Sequence, residues 1–173
     1  MVEALGGMNC IAPAVAGKPA SFEAVAIEDF VAFVLAGGEV TPHHLKDRVL
    51  RAENISFLRE GSCLLGVAGL KIPSEHHRRE VAAAAEVSLG VKEFAFELGW
   101  VFVLPSARGR RLSFPLCAPL VEAAKGKGIF ATSRVTNAGM HKTLARLGFS
   151  RAGKEWPSQQ NEDNLALFVR NAA

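Results

Sequence analysis

Ten residues constrain this chain more than any others. Phe94 to Val103 reads Phe-Ala-Phe-Glu-Leu-Gly-Trp-Val-Phe-Val, and Pro105 follows. Aromatic and branched side chains favour a pleated, half-buried surface, and proline cannot donate to a ladder. The run therefore predicts a long strand closed by Pro105. A short basic loop comes next, Arg108-Gly109-Arg110-Arg111, and then a predicted helix from about Leu112 to Lys127. A strand, a tight loop and a helix in succession aim several backbone N–H groups and the positive helix end at one spot. Such a spot suits a pyrophosphate, and guanidinium groups beside it add charge-assisted contacts. Taken alone, the loop reads more simply as a solvated turn with its arginines in water.

The second half of the chain continues the alternation. Ile129 to Val135 reads as a strand, Asn137 to Leu147 as a helix stopped by Gly148, and Leu165 to Val169 as a last strand. This predicts an α/β arrangement with some parallel pairing. Upstream, Ala26 to Leu35 has helical spacing and ends at Gly37-Gly38. Thr41-Pro42 predicts a second helix with Thr41 as its N-cap. Ile55 to Leu58 and Cys63 to Leu70 read as a hairpin turning at Arg59 to Ser62. Ser74 reads as the cap of a helix ending near Gly90. Pro119 should kink or shorten the helix that follows the basic loop.

Composition narrows the classes. The chain has 173 residues, 49% hydrophobic and 21% charged, which suits one folded domain over 21–173 behind a loosely ordered leader over 1–20 that ends in a short first strand. A net charge of +3 is too mild for a nucleic-acid binder, and no apolar run is long enough for a membrane span. Cys10, Cys63 and Cys117 form no ligand spacing and read as buried, reduced thiols in a cytoplasmic protein. The pairs His43-His44 and His76-His77 read as solvated, since adjacent helical residues point about 100° apart and share a metal poorly. Trp100 reads as core, and Trp156 is left open.

Two stretches carry a family resemblance. Val103-Leu104-Pro105 followed by Arg108, Arg111 and Ser113 resembles the signature of the GNAT superfamily of N-acetyltransferases. There a strand ending in Val-x-Pro leads to Arg-x-x-Gly-x-Gly/Ala and a helix. Arg111 stands where glycine is usual. Further on, Asn137 and Leu147-Gly148-Phe149 resemble the family's later motif, with Leu144 at its usual tyrosine. The chain has no tyrosine at all.

The resemblance implies a mixed, mostly antiparallel central sheet with a splayed parallel pair, flanked by helices. It implies direct attack of a primary amine, on a small molecule or a protein, on the thioester of acetyl-CoA, with no metal. The cofactor contacts it implies are the backbone of Phe102, Val103 and Leu104, and the loop Arg108, Gly109, Arg110 and Arg111. Leu112, Ser113 and Asn137 complete them. It implies Glu97 as base, within an apolar strand where a charge needs a partner or a cleft. His141, one turn before Leu144, is the candidate acid. No membrane or nucleic-acid partner is expected, and homodimerisation is left open. The competing reading is a degenerate, non-catalytic CoA-binding module, favoured by Arg111 and the missing tyrosine.

Overall fold

One seven-stranded sheet runs through the computed structural model, which describes residues 11–173. Its strands are β1 (Val15–Gly17), β2 (Asn54–Glu60), β3 (Cys63–Lys71), β4 (Phe94–Val103), β5 (Gly128–Arg134), β6 (Ser150–Pro157) and β7 (Asn164–Arg170). They lie in the order β1-β2-β3-β4-β5-β7-β6. Every pair is antiparallel except β4 with β5. The helices are α1 (Ala24–Ala36), α2 (Leu45–Leu50), α3 (Glu75–Ala85), α4 (Ser113–Ala123) and α5 (Ala138–Arg146). This is the mixed, mostly antiparallel sheet with one parallel pair that the sequence led us to expect.

Burial explains the layers. α4 packs across β2, β3 and β4, where Leu116, Cys117 and Leu120 meet Leu58, Leu70 and Leu98. α1 and α2 cover the other face, where Ile27, Phe30 and Val49 meet Ile55, Phe57 and Val67. A smaller core under α3 joins Val81 and Ala85 to Phe130 and Leu167. Each fully buried large apolar side chain contributes roughly 1.5–3 kcal/mol against the entropy of ordering the chain.

The central strand changes face partway along. Phe96 and Leu98 join the α4-side core, whereas Trp100 and Phe102 join the α1-side core. A β-bulge is the cause: between the pairs Gly69↔Gly99 and Val67↔Phe102, β4 has two residues where β3 has one. Trp100 sits there with φ 53°. Its ring lies over Gly69, where a Cβ would come 2.5 Å from Trp100 Cε3. Gly69 is therefore required by close approach.

Several boundaries differ from the sequence reading. Thr41 does not cap α2: the helix begins at Leu45, behind His44 in the left-handed region. The loop carbonyls of Thr41 and His43 are taken up by Arg48 Nη2, at 2.9 and 3.3 Å, a tertiary solution invisible to local capping rules. α3 stops at Ala85, because Glu86 turns left-handed at φ 55°. α4 runs through Pro119 and ends at Ala123, four residues short of expectation. The Ser56 hydroxyl from β2 donates to Leu116 O at 2.7 Å beside this interruption. β6 was not expected at all. Its Ser-Arg-Ala-Gly-Lys-Glu-Trp-Pro is mostly exposed on a sheet edge and lacks an apolar alternation. Cys117 is buried but Cys63 is exposed, contrary to the reading of all three thiols as buried, and Cys10 lies outside the described residues. The short first strand expected at the end of the leader is β1, which pairs with β2.

Candidate active site

β4 and β5 pair only at Phe94, Phe96 and Glu97, and then diverge. A cleft of about 1190 Å³ opens in the fork. Its walls are the second half of β4, the 107–114 loop, the start of α5, the end of β5, part of α3 and the tip between β6 and β7.

The basic loop is built by two left-handed residues. Gly109 has φ 82°, where glycine alone is unstrained. Arg111 has φ 60°, so this arginine keeps the backbone conformation that a glycine would take. No side chain caps α4, whose N-cap is Leu112, and Pro115 in its first turn has no N–H to place. The first-turn amides are left for a ligand. Arg108 Nε donates to Val103 O at 3.1 Å, and its guanidinium lies 5.7 Å from the Phe102 ring centroid. Ser113 Oγ and Thr143 Oγ1 are 2.9 Å apart, which ties the basic loop directly to α5. Arg146 stacks on Phe114 at 3.8 Å.

Not every residue expected to hold the cofactor faces this cleft. Phe102, Val103, Arg108, Gly109, Arg111, Leu112, Ser113 and Asn137 line it. Leu104 does not, because its N–H donates to Leu65 O at 2.8 Å and is spent in the sheet. That direction fixes its neighbour: successive residues of a strand present their amides to opposite edges, so the Val103 N–H and C=O point into the fork. Arg110 turns away and pairs with Glu60 at 2.7 Å. Asn137 spends its Oδ1 as the α5 N-cap, accepting from Met140 N–H at 3.1 Å.

Glu97 sits at the point of the fork and is only 3% exposed. Lys71, directly across the ladder on β3, places Nζ 2.9 Å from one carboxylate oxygen. His77, on the first turn of α3, places Nε2 3.0 Å from the other. Burial pushes this carboxyl upward, but Lys71 and His77 outweigh it and hold the group down at about 2. His77 is therefore not the freely solvated histidine that the sequence suggested. His76 is, with its only ion-pair partner the neighbouring Glu80.

The structure does not bring His141 to this group. Its Nε2 lies 3.0 Å from Arg134 O, and its ring packs 4.8 Å from that of Phe168, on a face of α5 turned from the cleft. Leu144 is completely buried in the α4-side core, so the usual tyrosine position offers nothing to the site. Both tryptophans line the cleft. Lys71 and His77 were missed as site residues. Only β3 register and the docking of α3 bring them to Glu97, and neither is local in sequence. Among the described residues no three His, Cys, Asp or Glu side chains could share a metal ion, and no helix is long and apolar enough to cross a membrane.

Comparison with known proteins agrees with this geometry. No curated protein matches the sequence significantly. Solved structures do match the fold. ElaA from Escherichia coli aligns with a TM-score of 0.67 at 12% identity, covering 93% of this chain and 99% of that one. The ribosomal-protein-S18-alanine N-acetyltransferase of Escherichia coli aligns with a TM-score of 0.61 at 14% identity, covering 92% and 94%. The yncA protein of Salmonella typhimurium, determined with its cofactor acetyl-CoA, aligns with a TM-score of 0.60 at 16% identity, covering 92% and 94%. The Acetyltransferase (GNAT) family model matches residues 25–149. A family match over most of the chain, on a sheet forked at its parallel pair, makes this protein a GNAT acetyltransferase.

Proposed function

We propose that this enzyme transfers an acetyl group from acetyl-CoA to a primary amine of a small molecule or protein, by direct attack of the amine. The observation that carries the reading is the set of unspent amides at the fork. They are the Val103 N–H and the first turn of α4, with Arg108 and Arg111 beside them. Bound acetyl-CoA supplies an acetyl group activated as a thioester.

The chain's own residues divide the work. The turn at Gly109 and Arg111 directs amides at a pyrophosphate, and the arginines neutralise its charge. The strand edge at Val103 offers an N–H donor to an amide-bearing arm laid alongside it, while its carbonyl accepts from Arg108. A donor aimed at a thioester oxygen stabilises charge that develops there during attack. Ser113 and Thr143 fix the spacing between loop and α5. Glu97, held ionised by Lys71 and His77, marks the acceptor end.

One experiment tests the reading. Calorimetry with CoA should give a single site per chain. Incubation with acetyl-CoA and a panel of primary amines and peptides should release free thiol. Binding without release for any amine would instead support a non-catalytic CoA-binding module, which the buried Leu144 favours. Absence of binding would refute both.

A further inference from the structure

We propose that His77, oriented by Glu97, is the residue that takes the proton from the acceptor amine; Glu97 positions it rather than acting as the base. This deepens the acetyl-transfer reading and rests on it.

The geometry carries the inference. Glu97 is fully enclosed, and each carboxylate oxygen already faces a cationic partner, Lys71 Nζ at 2.9 Å and His77 Nε2 at 3.0 Å. An acceptor amine has no open carboxylate edge to approach. His77 is different. Its Nε2 is completely covered, yet 42% of the side chain remains exposed and lines the cleft. Its backbone is fixed as well, because its N–H donates to the Ser74 hydroxyl at 3.1 Å. Nε2 lies against the carboxylate at 3.0 Å, so Nδ1 is the ring nitrogen left to take a proton. The ionised state of Glu97, held at about 2, agrees with a positioning role: such a carboxylate does not retain an ammonium proton.

Other charges around His77 come from several elements. Glu97 on β4 faces it directly, and Lys71 on β3 pairs with Glu97. Arg48 on α2 and Arg78 on α3 lie close enough to Glu97 to feel its charge, and Glu80 on α3 lines the same cleft. Arg78 is spent on Leu89 O and Phe94 O, and Glu80 on His76. β6, which packs on α3, turns Trp156 to the cleft while its Lys154 pairs with Glu86.

The step balances as follows. An ammonium N–H proton passes to His77 Nδ1, which frees the nitrogen lone pair. That pair forms the bond to the acetyl carbon while the C–S bond breaks, its electrons going to sulfur. A second N–H proton goes to the thiolate, and His77 returns its proton to solvent.

Two readouts test this. In protein labelled at histidine Cε1, the signal lost in His77→Gln identifies His77 among the five histidines. Its Cε1 signal at fixed pH should move in Glu97→Gln, which takes the charge off its partner. Thiol release with the best amine of the panel should fall roughly a hundredfold in His77→Gln. It should be partly restored by free imidazole in His77→Ala. The acidic limb of the kcat/KM profile should shift in Glu97→Gln, with CoA affinity unchanged in each variant. His76→Gln should behave as wild type. A His77→Gln enzyme with wild-type rate and profile, or a His77 Cε1 signal indifferent to Glu97, overturns this inference and leaves acetyl transfer standing. No thiol release from wild type with any amine overturns both.

Discussion

Arg111 holds a glycine's backbone with an arginine's side chain. A non-glycine residue in the left-handed region costs about 1–2 kcal/mol, so Arg111→Gly should raise stability by about 1 kcal/mol, read as a higher urea midpoint. The same change removes a guanidinium from the cleft and should weaken CoA binding by tenfold or more, measured by calorimetry. Glu97 sets a pH dependence. Its carboxyl lies at about 2 in the folded chain against 4.5 as a free group. The stabilisation is therefore complete above about pH 4.5 and disappears as pH falls through 2. It amounts to something on the order of 3 kcal/mol. Urea titrations between pH 6 and 2.5 should show this slope, and Glu97→Gln should flatten it. Burial pushes the Cys117 thiol up to about 12. In the native protein a thiol reagent should therefore label Cys63 and spare Cys117 until the chain unfolds.

The elements legible in the sequence are those whose causes are local. β4 runs from Phe94 to Val103 as expected, because its side chains and Pro105 carry the whole signal. Ser74 and Asn137 cap their helices, each accepting an N–H three residues on. The strand, loop and helix that border the cleft were legible for the same reason, as one contiguous segment. The bulge at Trp100 was not, because it comes from packing against Gly69 on a neighbouring strand. Nor was the Lys71–Glu97–His77 group, which joins three elements through register and docking. β6 escaped because an exposed edge strand needs no apolar face. The bulge yields a prediction of its own. Gly69→Ala places a methyl within the Trp100 ring and should cost roughly 1–3 kcal/mol, seen as a lowered Tm.

At the scale of the whole molecule, the cleft is bridged by its own loops. Glu39, between α1 and α2, pairs with Arg134 at the end of β5 at 2.9 Å and accepts from Asn161 between β6 and β7 at 3.2 Å. One end of the cleft is therefore framed by two weakly patterned loops and the end of β5, while the other is framed by one strongly patterned strand, loop and helix. Substitutions in the bridging loops should alter amine preference and leave CoA affinity within a factor of about two, measured across the same panel. A second consequence concerns light. The chain has two tryptophans and no tyrosine, and both indoles border the cleft. Apart from the weak emission of its phenylalanines, its ultraviolet emission comes from those two rings, so occupancy of the site can be followed in the unlabelled protein by its own glow.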